Sequence, residues 1–170
     1  IPFMDKYFRY QLRMLPEKPL GHWTFWGEYR GGDNLEMVHW FYNLTGESYL
    51  LELGELIHSQ TVPWTEYFYT GDIFRTQNSL HCVNLGQGYK EPIIYYQQSK
   101  DPYQLEALRR GGETIRKTIG FPTGLWAGDE LINFDGTGKV QVIDVRPATS
   151  TIVVKIVNGE YLNFLGTDSY

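Results

Sequence analysis

The feature that most constrains this chain is an internal repeat. Tyr42, Thr45, Glu47, Tyr49, Leu51 and Glu52 recur at a constant offset of 54 residues as Tyr96, Ser99, Asp101, Tyr103, Leu105 and Glu106. Each copy lies where one apolar stripe of helical spacing ends, a polar turn intervenes and the next stripe begins. The unit is therefore an αα-hairpin, and a chain carrying two of them is directed to stacked hairpins, as in solenoids and α/α toroids. Such stacks generally need about three or more units, or a partner, to cover their ends. Two copies predict an uncovered helical face.

The stripes flank the repeat. Asp33 is expected as an N-cap with Glu36 three residues on, a capping-box arrangement, and Leu35, Val38, Phe41 and Tyr42 line the helix that Gly46 stops. A second helix runs from about Ser48 to Thr61 on Leu50, Leu53 and Ile57, with Pro63 just beyond it. Leu85, Tyr89, Ile93 and Tyr96 keep helical phase through Pro92, giving one kinked helix or two short ones. The last has Asp101 as N-cap, Pro102 at N1, Gln104 closing the box, and Leu105, Leu108, Ile115 and Ile119 as its stripe.

Near residue 130 the pattern changes to short β-branched runs. Lys139–Val145, Thr151–Val157 and Glu160–Leu165 read as a three-stranded antiparallel meander, with Asn158-Gly159 as a type I′ hairpin signal. The fold class expected is mainly α with this small C-terminal meander, α+β overall, divided as a helical segment 1–132 and a β-meander 133–170.

Composition bounds the function. At 170 residues the chain suits one domain that buries about 70% of its unfolded surface. A net charge of −5 disfavours nucleic acid as partner, and no apolar run approaches the roughly 20 residues of a membrane span. One cysteine forbids an intrachain disulfide and a multi-thiolate metal site, so no metal or other cofactor is expected. Aromatic content of 16% suits a core, an interface or a sugar-stacking surface.

Four constellations are candidates for chemistry. His22 to Asn34 combines Trp26 and Tyr29 with Arg30, Asp33 and Asn34, rings for the apolar face of a sugar and polar groups for its hydroxyls; the plainer reading is a Gly31-Gly32 turn, a cap and core tryptophans. His81-Cys82 opens the third helix, either as a neutral pocket histidine beside a thiolate or as an inert buried pair. Trp126 precedes Gly128-Asp129-Glu130, a turn that either offers a general acid or is simply solvated. Asn133, Asp135, Thr137, Gly138, Val140 and Asp144 follow calcium-loop spacing weakly, since Asp replaces the usual Glu at the last position and a strand follows. A plain hairpin turn is the competing reading.

Trp23 to Thr61, including "RGGDNLEMVHWFYNLTGESYLLELGELIHSQT", and Asn78 to Ile132, including "NSLHCVNLGQGYKEPIIYYQQSKD" and "IGFPTGLWAGDELI", resemble the catalytic α/α toroid of the β-L-arabinofuranosidase-like glycoside hydrolases, family 127 and relatives. The resemblance covers about 110 of the 170 residues in order. It implies an incomplete toroid, Glu130 as general acid/base, His81, Asp33 and Asn34 in the substrate pocket, carbohydrate as ligand and an extracellular or periplasmic setting. The family's zinc-held cysteine nucleophile has no counterpart, because Cys82 does not match its position and no other cysteine exists. The expected function is thus a glycoside-hydrolase-related protein, a fragment or inactive form, with a non-catalytic carbohydrate-binding or self-assembling structural protein as the alternative. Homo-oligomerisation is expected from the open helical face and from Thr151–Val157, which carries apolar residues on both sides.

Overall fold

The computed structural model describes residues 1–22, 24, 26–74, 82–126, 140–146 and 151–156. Helices dominate them: α1 (Pro2–Met14), α2 (Trp26–Tyr29), α3 (Gly31–Thr45), α4 (Tyr49–Gln60), α5 (Trp64–Thr70), α6 (Cys82–Tyr89), α7 (Glu91–Ser99) and α8 (Pro102–Ile119). Strands β1 (Val140–Arg146) and β2 (Thr151–Ile156) pair antiparallel, from Val140 opposite Ile156 to Arg146 opposite Thr151, with a register shift between Val142 and Asp144. The expected third strand over 160–165 and the Asn158-Gly159 turn lie outside the described residues.

The sequence repeat is a structural repeat. α3 ends at Gly46 with φ 71° and α7 ends at Lys100 with φ 57°, both left-handed, and their amides donate to the carbonyls of Tyr42 and Tyr96 at 2.7 and 3.0 Å. In the turns that follow, the Glu47 amide donates to Thr45 Oγ1 at 3.4 Å and the Asp101 amide to Ser99 Oγ at 3.2 Å. A third helix belongs to each unit. The Tyr49 hydroxyl donates to Asp5 of α1 at 2.9 Å, and its equivalent Tyr103 donates to Glu66 of α5 at 2.5 Å. Unit one is therefore α1, α3 and α4, and unit two is α5, α7 and α8.

Each unit has its own core. Phe8, Leu35, Val38, Phe41, Leu50, Leu53 and Ile57 form the first, and α7 inserts Ile94 and Tyr95 into it, so α7 joins the units. Trp64, Phe68, Ile73, Leu85, Ala107 and Ile115 form the second. Trp64 and Phe68 are each 0% exposed because glycines receive them: a β-carbon on Gly88 would stand 2.1 Å from Trp64 Cε2, and one on Gly111 2.5 Å from Phe68 Cδ1.

Several local expectations are corrected. Asp33 is not an N-cap: α3 begins at Gly31 with Arg30 as its cap and no side-chain cap bond. Asp101 does cap α8, accepting from the Tyr103 amide at 2.9 Å, but Gln104 leaves the box open and accepts from Ser99 Oγ at 2.5 Å instead. α6 and α7 are separate, with Pro92 in the first turn of α7, where its missing N–H costs nothing. The break also shifts the buried face to Glu91, Pro92, Ile94 and Tyr95, leaving Ile93 40% exposed. In α8 the buried row is Gln104, Ala107, Gly111 and Ile115: Ile115 keeps its predicted place, but Leu105 is 39% exposed and small residues accept the α5 rings in the first turns.

Candidate functional site

Among the described residues, those singled out as a sugar site face in different directions. Arg30 Nε donates to Asn84 Oδ1 at 2.9 Å and its guanidinium lies over the Trp26 ring at 4.7 Å, so the α2 motif meets the start of α6. Asp33 turns the other way, to Lys90 Nζ at 2.6 Å, which Glu36 also holds at 2.6 Å. Although partial burial opposes it, these two carboxylates hold the Lys90 ammonium above its ordinary pKa. Asn34 faces α1 and exchanges amide hydrogen bonds with Gln11 at 2.8 and 3.3 Å. Trp126 meets Tyr89 edge-on at 6.1 Å and lines a separate cavity of about 220 Å³ with Arg116 and Phe121. His81, Glu130, Asn133, Asp135 and Thr137 lie outside the described residues.

A larger cleft, about 580 Å³, opens between α4, α5, α7 and α8. It is lined by His58, Ser59, Thr61, Thr65, Glu66, Tyr95, Ser99, Asp101, Tyr103 and Gln104, a wall of hydroxyls, amide and carboxylates around two rings. His58 sits in the last turn of α4, with Nδ1 2.6 Å from Glu91 Oε1 and its ring stacked on Tyr95 at 3.5 Å and 7°. Glu91 is 1% exposed. The buried carboxyl group beside Nδ1 and the Tyr95 ring beneath it fix the orientation of the imidazole in the cleft. Beneath the histidine, the Tyr95 hydroxyl donates to Glu55; partial burial and then this bond push Tyr95 well above the usual phenol range.

The glycine pair that reads as a turn in the sequence does its work here. Gly31 and Gly32 form the first turn of α3 and are buried. A β-carbon on Gly31 would stand 1.8 Å from Thr61 Oγ1, and one on Gly32 3.0 Å from Glu91 Cβ. Only backbone fits between the cleft wall and the carboxylate below it. Two polar atoms stay unpartnered: the Thr65 hydroxyl on the cleft wall and Glu91 Oε2 behind the histidine, each on a residue at least nine-tenths buried. Burying a hydrogen-bonding group without a partner costs about 1–3 kcal/mol, and both atoms lie beneath the cleft surface, closed to solvent.

Nothing in the sequence marks His58 and Glu91 as partners, since they lie 33 residues apart on different units. The usable signals were a histidine on the buried side of an amphipathic helix and a glutamate beside Pro92 in an apolar run. Among the described residues no group of three or more His, Cys, Asp or Glu is placed to hold a metal ion, and no helix is long and apolar enough to cross a membrane. Compared with known proteins, the chain matches no family model, no curated sequence and no solved structure.

Proposed function

We propose that this chain is a glycoside-hydrolase-related carbohydrate-binding protein, and that a sugar or comparable polyol occupies the cleft between α4, α5, α7 and α8. The observation that carries the reading is a cleft of about 580 Å³ whose wall combines hydroxyls, carboxylates and a histidine oriented by Glu91. A polyol has donors and acceptors on every carbon and matches such a wall group for group. The resemblance of 23–132 to arabinofuranosidase-like enzymes independently favours a pentofuranose.

Binding is separated from turnover in this reading. Retaining hydrolysis needs a nucleophile as well as an acid, and Cys82 alone cannot assemble a multi-thiolate zinc centre. The chain is expected to release no arabinose from chromogenic arabinofuranosides and to hold no stoichiometric zinc; turnover that Cys82→Ala abolishes would overturn that. For binding, titration with methyl β-L-arabinofuranoside followed by NMR should give saturable shifts with a Kd of about millimolar. Tyr103→Phe keeps the ring and removes its hydroxyl from the cleft wall, so affinity should fall by about 5- to 10-fold, equivalent to one hydrogen bond. No saturable binding, or a Kd unmoved by both Tyr103→Phe and His58→Gln, would end the proposal.

A further inference from the structure

The interface between the two units makes it possible to ask what each unit's outer face would fit. Within the chain, α7 of unit two is the helix that docks on unit one. Its Ile94 is 5% exposed in the first core, its Gln98 reaches His39 at 3.1 Å and the Leu51 carbonyl at 2.9 Å, and its N-cap Lys90 pairs with Glu36.

Moving back by 54 residues, the docking positions 90, 94 and 98 become Glu36, Trp40 and Leu44 on α3. Trp40 and Leu44 are 48% and 56% exposed: the same helix face that docks in unit two is open in unit one among the described residues. Moving forward by 54, the receiving positions 36, 39 and 51 become Lys90, Ile93 and Leu105. Ile93 and Leu105 are 40% and 39% exposed, so the receiving face of unit two is likewise open.

The two open faces also match in chemistry. Where the internal junction sets Gln98 against His39, the outer pair sets Leu44 against Ile93, beside Leu105, the equivalent of Leu51. Where it sets Lys90 against Glu36, it again brings together a Glu36 and a Lys90. A polar contact has been exchanged for an apolar one on both sides at once, and the charge pair is kept.

We infer that a second copy of this chain docks its α3 face, Glu36, Trp40 and Leu44, on the α7–α8 face, Lys90, Ile93 and Leu105, of the first, continuing the hairpin stack head to tail. Such an interface is heterologous: every added copy presents a fresh face, and assembly ends only if the rotation closes a ring.

The test exploits that asymmetry. By sedimentation at about 1 to 100 µM, the full chain should show a concentration-dependent mass exceeding twice 19.8 kDa. Trp40→Glu and Leu105→Glu change exposed positions at opposite ends, and each alone should leave a monomer. Mixed one to one, they should form a dimer and nothing larger, because each retains the face the other lost. Recovery of pairing on mixing also proves that both variants fold. Three results would overturn the inference: a monomeric parent at 100 µM, a single variant that still associates, or a mixture that stays monomeric.

Discussion

Unit one and unit two share a backbone plan and fill it differently. Both close their helix turns with a left-handed residue, and both tie a tyrosine at the start of the second long helix to a carboxylate on the flanking helix. Unit one spaces its helices with leucines and phenylalanines. In unit two, glycines on α6 and α8 let the helices close onto the Trp64 and Phe68 rings. Side-chain volume is thus moved from one helix to its neighbour while the interior stays filled, as close packing requires. Residue-by-residue similarity is consequently lost in the cores and survives only in the turns.

The sharpest way to probe this difference is to empty each core in turn. Trp64→Ala should cost about 4 kcal/mol, because it vacates the ring slot and also removes the indole bond to the Tyr29 carbonyl at 3.1 Å. Phe8→Ala in unit one should cost about 3 kcal/mol, since α1 has a more exposed surround and can settle toward the gap. Urea denaturation with a shared slope would check both, and equal losses would remove the distinction.

Next in size come the glycines. Ala is favoured over Gly inside a helix by about 1 kcal/mol, yet Gly88→Ala should destabilise by about 2 kcal/mol net, because its new carbon meets the rigid Trp64 ring. Gly54→Ala in unit one is the control. Its nearest neighbour is the end of the Gln98 side chain at 2.6 Å, which can turn aside only by giving up its bond to His39, so the change should cost about 1 kcal/mol, less than at Gly88. A harmless Gly88→Ala would show that unit two is loosely packed.

These contrasts also explain what could be read in the sequence. The hairpins, the Asp101 cap with Pro102 behind it, and the α4 stripe were legible because each depends on local spacing. The α8 face was not, since Ala107 and Gly111 are invisible to a hydrophobicity count while being the positions that receive rings. α5 was missed for a similar reason: seven residues are too few for a period, and its order comes from packing. Gly31-Gly32 looks like a turn in any single sequence, and only the nearness of Thr61 and Glu91 shows why no side chain is tolerated there. The His58–Glu91 pair joins the two units, so no local pattern announces it.

That pair gives the next effect. Glu91→Gln keeps the shape but exchanges a charge-assisted bond to His58 for a neutral one, and should cost about 1–2 kcal/mol. The NMR signals of the His58 ring should move with it, while the turn at Thr45–Glu47 in unit one stays put. An unchanged ring environment would mean that Tyr95 stacking alone orients the histidine.

The smallest effect tests whether the two tyrosine latches are equivalent. Partial burial first, and then the bond to Asp5 or Glu66, push the Tyr49 and Tyr103 hydroxyls up to about 12 from the ordinary 10.0. A phenol raised in the folded state is ionised earlier in the unfolded chain, so the stability it contributes is complete below pH 10 and is lost as the pH climbs to 12. Both rings are half-buried at the edge of their units, so solvent still screens the bond and limits the loss to about 1 kcal/mol or less. Tyr49→Phe and Tyr103→Phe should each lower stability slightly at pH 8 and flatten its decline between pH 10 and 12, and by similar amounts. If only one substitution flattens the alkaline slope, the latches differ in strength despite their shared geometry, and the repeat holds for the backbone alone.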